Sequence, residues 1–250
     1  FNLTLTVTGQ NGCIATEFHT VFNGSNPGVG LGTSGSTVEL CVPATLTFDI
    51  IDSLVINNPI GTIYTVTTNS GNPPIIFSHP PPASFDYIFT NSSCGASGGN
   101  TPNTYYVEIR AENPCGFTEA TIQPITTSVK PIADFIITPD TIECVNSIIT
   151  FTDASINGVT VDNWGNCDST SKRKWEVLPN SGWSISSGIL GNISSNNSTL
   201  WGSTVLDVLF SDPGEYSISM IIENDCGNDT LTKTVCIVPV PIPSFDLDTT

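Results

Sequence analysis

Apolar and polar residues alternate with a period of two along most of the chain, in short runs separated by turn-forming residues. Residues 215–238 show the clearest example, with apolar side chains at every second position from Tyr216 to Ile222. A cluster rich in Asn and Gly follows, and a second alternating run leads back. This pattern is typical of two half-buried β-strands joined by a turn.

The same arrangement occurs twice more, at residues 1–21 and 104–125. Each copy has a cysteine two residues after an Asn in its turn, namely Cys13, Cys115 and Cys226. These cysteines recur about 100 residues apart, which is the size of one small β-domain and indicates a tandem array. Helical periodicity is nearly absent, so the sequence predicts an all-β protein built from β-sandwiches.

Further strands are expected between the hairpins. Trp175 lies in one of them and is predicted to be a core residue. Cys144 precedes the run ITFTD as Cys41 precedes LTFDI, which indicates that the same strand occurs in two repeats. The predicted strands outside the hairpins are 37–51, 62–68, 75–78, 85–90, 149–153, 174–178 and 204–210.

Four segments follow from this repeat. Residues 1–23 are predicted to be the C-terminal hairpin of a preceding sandwich, and residues 24–130 and 131–239 to be two complete sandwiches. Residues 240–250 are predicted to be a proline-rich linker and the first strand of a following domain, with the strand at 244–248. The chain is therefore expected to be a piece of a longer or matured protein.

The acidic composition of the chain limits the kinds of partner that it can bind. Only 12% of the residues are charged, and the net charge is −17 with six basic residues. Phosphate backbones and anionic lipid surfaces both require Lys and Arg, so the composition argues against nucleic acid and against membrane binding. No apolar run is long enough to span a bilayer, and membrane insertion is not expected.

Eight cysteines occur without any CxxC spacing, which favours disulfides over a zinc site. Disulfides in this number imply export to an oxidising compartment, so an extracellular or cell-surface location is predicted.

Catalytic patterns are lacking. The two histidines, His19 and His79, are interpreted as surface residues, and no HExxH motif or phosphate-binding loop is present. No cofactor is required, although several aspartates near loops are compatible with Ca²⁺. Solvated acidic side chains are the alternative interpretation of these residues, which are Asp134, Asp140, Asp153, Asp162 and Asp168.

Two other groups admit two interpretations each. Residues 172–174 form the only basic cluster, which would be a solvated strand edge that guards against sheet-to-sheet pairing, or would contact an acidic neighbouring protomer. Trp164, Trp183 and Trp201 would pack in the core or loops, or stack on sugars.

The order of motifs in residues 131–239 resembles the PKD domain, the immunoglobulin-like module first noted in the polycystic kidney disease protein. The motifs are ADF at 133–135, a Cys before TFTD, a Trp strand, DPGEYSIS at 212–219 and a Cys-Gly turn. Residues 24–130 are similar, with Tyr64 near the Trp position. The Cys-rich, Thr-rich version looks like the repeats of large surface proteins of Bacteroidota, including gliding-motility adhesins exported by the type IX secretion system.

The resemblance implies a pairing of cysteines, because strand ends that meet in an immunoglobulin-like sandwich bring their side chains together. The implied bonds are Cys41–Cys94, Cys144–Cys236 and Cys167–Cys226, while Cys13 and Cys115 have no partner in the chain. Six cysteines allow 15 connectivities, so the pairing depends on topology. Free buried thiols are the alternative.

The resemblance also implies O-glycosylation at Asp-Ser/Thr-apolar motifs. The candidate acceptors are Ser53, Thr141 and Thr230, with Ser169 as a weaker match.

These observations predict a non-enzymatic segment of an exported cell-surface repeat protein that forms a structural or adhesive rod or filament stalk. Its expected partners are neighbouring repeats, other protomers of a filament, and surface polysaccharide or other cells. One alternative is an accessory carbohydrate-binding module of a secreted enzyme. Another is a fibre subunit in which residues 1–21 add as a hairpin to a neighbouring protomer.

Overall fold

A computed structural model describes residues 1–21 and 24–245 of the chain. The described part is almost entirely β-structure and divides into two compact units. The first comprises Phe1–Val38, Pro43–Thr126 and Asn163–Gly165, and the second comprises Glu39–Val42, Thr127–Asp162 and the chain from Asn166 onward. Most of the predicted strand at 244–248 lies outside the described residues.

Twenty-one strands and two short helical turns make up the described chain. The strands are β1 (Asn2–Thr8), β2 (Ile14–Thr20), β3 (Leu31–Thr33), β4 (Leu40–Cys41), β5 (Ala44–Ile50), β6 (Ile63–Thr68), β7 (Ile75–Ser78), β8 (Ser84–Phe89), β9 (Tyr105–Asn113), β10 (Gly116–Ile125), β11 (Thr127–Ser128), β12 (Phe135–Thr138), β13 (Ile142–Cys144), β14 (Ile148–Asp153), β15 (Thr160–Val161), β16 (Cys167–Asp168), β17 (Lys172–Leu178), β18 (Trp183–Ser187), β19 (Val205–Phe210), β20 (Gly214–Asn224) and β21 (Gly227–Val238). The turns are α1 (Asp52–Val55) and the 3-10 turn Ser198–Leu200.

The first unit contains a three-stranded sheet in the order β3-β5-β8 and a four-stranded sheet in the order β10-β9-β6-β7, both antiparallel. Alternate residues of β5, β8 and β9 are buried while those between them are more exposed, as expected when one face of each sheet is solvated. Its core includes the buried side chains of Phe48, Tyr64, Phe89, Val107 and Ile109.

In the second unit the sheets are β12-β14-β19-β18 and β13-β21-β20-β17. The buried Trp175 of β17 packs between them, with its ring centroid 5.2 Å from that of Phe135 and 6.3 Å from that of Phe151. Its indole Nε1–H donates to Ser203 O at 2.9 Å, so the one polar atom of the ring is paired. The prediction that Trp175 is a core residue is confirmed.

Each unit is an immunoglobulin-like sandwich, and each carries a tyrosine at the start of its long hairpin that ties the strand to a preceding loop. Tyr216 Oη donates to Gly182 O and Asp212 O, both at 3.1 Å. Tyr105 Oη donates to Ser92 O at 2.8 Å. Burial raises the pKa of both phenols, because the charged form is poorly solvated inside the sheet stack.

A short parallel pairing ends each complete repeat. Strand β4 pairs with β11 so that Cys41 faces Ser128, and β13 pairs with β21 so that Cys144 faces Val238. The next backbone hydrogen bond is equivalent in the two pairs, since Val42 N–H donates to Ser128 O at 2.9 Å and Val145 N–H donates to Val238 O at 3.0 Å. Cys41 and Cys144 therefore occupy equivalent positions of the two repeats.

All three predicted hairpins are confirmed as β1–β2, β9–β10 and β20–β21. In β1 the side chains of Leu3, Leu5 and Val7 share one face and are 56%, 64% and 55% exposed. The residues at the same distances before the turn Asn in β9 and β20 are buried in their sandwiches. Among the described residues, the β1–β2 pair has no second sheet against this apolar face.

Candidate functional site

The most distinctive chemical feature of the chain is a disulfide between two residues that lie 185 positions apart. Cys41 in β4 bonds to Cys226 in the β20–β21 turn, with 5.4 Å between their Cα atoms. Cys41 comes from the first sequence repeat, but the segment Glu39–Val42 belongs to the second compact unit. The bond therefore closes a covalent loop that contains nearly all of both predicted repeats.

The turn that presents Cys226 is fixed by an asparagine. Asn224 Oδ1 accepts from Cys226 N–H at 2.9 Å, and Asn224 Nδ2 donates to Val129 O at 2.9 Å. An Asn side chain that bonds its own backbone two residues on is a standard way of closing a tight turn. Gly227 follows with φ 121°, a conformation that glycine adopts without a steric penalty. The cysteine is thus held at the tip of a rigid hairpin.

The Cys41–Cys226 bond shows that two of the three disulfides implied by the PKD resemblance are wrong. Cys41 bonds to Cys226, so neither Cys41–Cys94 nor Cys167–Cys226 exists. Cys94 and Cys167 are nevertheless disulfide-bonded cysteines. The prediction failed because it closed every bridge within one sandwich, whereas residues 39–42 are part of the unit formed by the following repeat.

The third implied bond, Cys144–Cys236, is also wrong, because both residues are free thiols. They lie on neighbouring parallel strands, but Cys236 faces Ile142 and Cys144 faces Val238. A two-residue offset along a strand is about 6.6 Å, which added to the strand spacing places the two Cα atoms beyond the roughly 7 Å limit for a disulfide. Cys13 and Cys115 are free and exposed.

A cavity of about 520 Å³ lies beside the Cys41–Cys226 bond in the second unit. Its lining is acidic and includes Glu39, Asp162, Asp168 and Asp225. Asp162 accepts from the backbone and side-chain N–H groups of Asn166, both at 2.8 Å, and Asp168 accepts from the backbone N–H and the hydroxyl of Thr170. Within the described ranges, no three His, Cys, Asp or Glu side chains converge to hold a metal ion.

The remaining calcium candidates also have local partners. Asp134 pairs with Lys233 at 3.1 Å, and the hydrogen bond from that ammonium lowers the pKa of the carboxyl. Asp140 Oδ1 accepts from Thr141 N–H at 2.6 Å. Asp153 pairs with Arg173 at 2.7 Å. Each of the five aspartates thus has hydrogen-bond or ion-pair partners nearby, and calcium binding stays a prediction.

The basic cluster lies on β17, which is an edge strand of its sheet, as the edge-guard interpretation requires. Lys174 pairs with Glu176 at 2.5 Å, and both side chains are partly exposed. Arg173 differs, because its side chain is only 16% exposed and its ion pair reaches Asp153 of β14 in the opposite sheet. The solvated interpretation is therefore wrong for Arg173, which joins the two sheets.

The other three tryptophans differ in their surroundings. Trp183 lines an open cavity of about 530 Å³ with Leu178 and Leu190, and its Nε1–H donates to Pro179 O at 2.7 Å. Trp201 Nε1–H donates to Ser195 O at 2.8 Å, within its own loop. Trp164 is 75% exposed.

The two histidines differ in their surroundings. His19 is exposed on β2, as predicted. His79 is half-buried and its Nδ1 lies 3.1 Å from Tyr64 Oη, with the two rings stacked. Asn58 Nδ2 donates to the same hydroxyl at 2.6 Å and to Gly28 O at 2.7 Å, so the group ties a loop to the core. Burial raises the pKa of Tyr64, which keeps it a neutral hydrogen-bonding group.

The predicted glycosylation acceptors are all on exposed residues. Ser53 lies in α1, Thr141 precedes β13, Ser169 follows β16 and Thr230 lies on β21. Exposure permits modification but does not test it, and these positions stay predictions.

Comparisons with known proteins give a limited result. No protein-family model matches the chain, and no curated protein matches it in sequence. Among solved structures, extracellular domains 3–5 of Drosophila OTK superpose with a TM-score of 0.37 at 10% identity, covering 96% of this chain and 71% of that one. The full ectodomain of mouse nectin-like molecule 4 gives 0.35 at 8% identity, covering 88% and 67%.

A fragment of intimin is similar at the same level. The C-terminal 282-residue fragment of intimin, solved with the intimin-binding domain of the translocated intimin receptor, has a TM-score of 0.36 at 13% identity and covers 82% of this chain and 63% of that one. No functional conclusion rests on scores this low. Among the described residues, no helix has the length and apolar character needed to cross a bilayer.

Proposed function

We propose that this chain is a load-bearing segment of an extracellular repeat protein, in which tandem immunoglobulin-like sandwiches form a structural or adhesive stalk and perform no catalysis. The observation that carries the proposal is the Cys41–Cys226 bond, which joins the early part of one repeat to the hairpin tip of the next. Disulfides of this kind persist in oxidising surroundings, which fits a location outside the cell.

The bond limits how far the chain can extend under load. A pulling force applied at the two ends passes through the bridge, so the residues between Cys41 and Cys226 are shielded even when their sandwich opens. A fully extended chain spans about 3.3–3.6 Å per residue, so a separation of 185 residues corresponds to roughly 600–670 Å of hidden length. A stalk that withholds this length keeps its ligand-bearing end in place.

Single-molecule stretching of the chain between its termini tests the proposal. In oxidising buffer we expect unfolding to release only the short segments outside the loop. With reductant, the same chain should release roughly 600–670 Å more. A Cys41→Ser variant should extend further than the wild type without reductant, and Cys236→Ser, which removes an exposed free thiol, should behave as wild type. Equal extension with and without reductant would contradict the proposal.

The exposed hairpin β1–β2 supports the stalk in a second way. Leu3, Leu5 and Val7 stand where buried side chains stand in the two complete hairpins, and an isolated two-stranded hairpin is only marginally stable in water. We assign the β1–β2 hairpin to a further sandwich that covers this face. Strand addition to another protomer is the alternative, and it would make sedimentation depend on protein concentration, with Leu5→Asp abolishing the dependence.

The motif order in residues 131–239 favours a more specific setting. PKD-like modules with a Cys-Gly turn suit an exported surface protein of the gliding-adhesin kind, carried by type IX secretion and glycosylated at Ser53, Thr141, Thr230 or Ser169. Intact-mass measurement of the protein from its native source tests this setting, because each O-glycan adds a mass that β-elimination removes. An unmodified mass would contradict the glycosylation.

A second candidate function is carbohydrate binding, favoured by the position of Trp183 in an open cavity with Leu178 and Leu190. Aromatic faces stack on the apolar faces of sugar rings, and the partly exposed indole is held by its bond to Pro179. Binding to a glycan array that is lost in Trp183→Ala and retained in Trp201→Ala would favour this candidate.

A further inference from the structure

Two free cysteines, Cys115 and Cys144, occupy positions equivalent to those of the bonded Cys226 and Cys41. Cys115 and Cys226 both occupy the second residue of a two-residue turn between long strands. In both turns an Asn two residues earlier accepts from the cysteine N–H, at 2.8 Å for Asn113 and 2.9 Å for Asn224. The Nδ2 of each Asn donates to a carbonyl of the segment that precedes its own sandwich, Ser25 O at 3.0 Å and Val129 O at 2.9 Å.

Cys144 and Cys41 match in the same way. Each lies seven residues before the core phenylalanine of the following strand, Phe151 or Phe48. Each sits in a short strand that pairs in parallel with the end of its repeat, and the residue after each donates to the backbone there. In these two pairs of equivalent positions, Cys41 and Cys226 are bonded to each other. Cys115 is free and exposed, and Cys144 is free and half-buried.

We propose that Cys115 and Cys144 each form a disulfide of the Cys41–Cys226 type with a further sandwich of this repeat type. The rule taken from the bonded pair is that the short-strand cysteine of one repeat bonds to the turn cysteine of the next. Cys144 then bonds to the turn cysteine of a sandwich that follows, and Cys115 bonds to the short-strand cysteine of a sandwich that precedes.

The same rule gives Cys13 the role of a turn cysteine. Its N–H donates to Asn11 Oδ1 at 3.2 Å, although its loop is longer than the other two. Cys236 lies two residues before Val238, and the equivalent position in the first repeat, two residues before Ser128, is Thr126. Cys236 therefore has no counterpart in the first repeat. The rule therefore leaves Cys236 unpaired and makes it the matched control.

The chemistry is thiol oxidation by an external disulfide such as glutathione disulfide. Two thiols lose two protons and two electrons to form the S–S bond, and the glutathione disulfide is reduced to two thiols. Because Cys115 lies at a solvent-exposed turn, its thiolate is accessible for this exchange.

Two extended versions of the full chain test the proposal. In the first, a second copy of residues 131–239 is inserted after residue 239. In the second, a second copy of residues 24–130 is inserted before residue 24. Each is oxidised in a glutathione buffer, blocked with N-ethylmaleimide and digested without reduction, and linked peptides are identified by mass spectrometry. The Cys41–Cys226 link in the same digest reports that the original repeats are folded.

In the first version we expect Cys144 of the original copy to be linked to the turn cysteine of the inserted copy, and Cys236 to stay alkylated. In the second we expect Cys115 of the original copy to be linked to the inserted Cys41. Cys144→Ser in the original copy should leave the inserted turn cysteine alkylated. Alkylation of the original Cys144 in the first version, or of the original Cys115 in the second, would overturn the proposal if the chain retains the Cys41–Cys226 link. A link of either residue to Cys236 would overturn it as well. Its failure would leave the stalk function untouched, because that function rests on the existing bond.

Discussion

Cys226 lies at the tip of the β20–β21 hairpin and is bonded to Cys41, 185 residues earlier in the chain. The bond is formed in the second compact unit, to which Glu39–Val42 belongs. Four predictions follow from this bond and from the packing that surrounds it.

The bond should contribute strongly to stability. Removing a native disulfide typically costs about 2–5 kcal/mol, and the stabilisation is larger when the closed loop is long. We expect the double variant Cys41→Ser/Cys226→Ser to lower the free energy of unfolding by roughly that amount in urea titrations followed by circular dichroism. Cys236→Ser on β21 should stay within about 0.5 kcal/mol of wild type, as is usual for exposed positions.

Trp175 should be the most sensitive single position of the second sandwich. It is fully buried, contacts Phe135 and Phe151, and has its indole N–H paired. Replacing a buried large aromatic by alanine costs about 3–5 kcal/mol. We expect Trp175→Ala to unfold the second unit at much lower urea concentration, and Trp183→Ala, at a partly exposed site, to cost considerably less. Equal effects of the two variants would show that Trp175 does not hold the core.

The hydroxyl of Tyr216 should stabilise its hairpin. It donates to two carbonyls, Gly182 O and Asp212 O, and Tyr216→Phe leaves both without this partner. An intramolecular hydrogen bond contributes about 0.5–1.5 kcal/mol net, so we expect a loss of about 1–2 kcal/mol in urea unfolding. Tyr106→Phe is the control, because no hydrogen bond of its hydroxyl is seen among the described residues. An unchanged free energy of unfolding in Tyr216→Phe would contradict the stabilising role of this hydroxyl.

Stability should fall in alkaline solution. Burial raises the pKa of Tyr64, Tyr105 and Tyr216 above the value of about 10 that they have in the unfolded chain. Their contribution is therefore fully present below pH 10, and it is lost as the pH rises from there through the folded-state pKa values. We expect the tyrosinate absorbance at 295 nm to rise in two steps. The second step, from Tyr64, Tyr105 and Tyr216, comes only when the circular dichroism signal of the folded protein is lost. Complete ionisation before unfolding would be inconsistent with these shifts.

The sequence predicts local pairings well because they are encoded by adjacent residues. Strand alternation and an Asn-x-Cys turn suffice to predict β9–β10 and β20–β21. The burial of Trp175 is predicted because it lies in a short apolar run that is typical of a strand. Short-range turn chemistry determines which strands pair in a hairpin, so no knowledge of the rest of the fold is needed.

The short parallel pairs and the disulfide could not be predicted in this way. Strand β11 has two residues, Thr127 and Ser128, which carry no alternating pattern, and its partner β4 lies far away in sequence. The implied pairing assumed that each sandwich closes its own bridges, and nothing near Cys41 indicates that its segment joins the next unit. The signal in the sequence is the repeat itself, because each complete repeat carries one cysteine before its second long strand and one in its hairpin turn.

The most direct measurement for the central claim is disulfide mapping of the chain as it stands. The protein is alkylated without reduction at acidic pH, to prevent exchange, and its proteolytic peptides are sequenced by mass spectrometry. The claim predicts one linked pair containing Cys41 and Cys226, with Cys13, Cys115, Cys144 and Cys236 alkylated. A link between Cys41 and Cys94, or an alkylated Cys226, would contradict it.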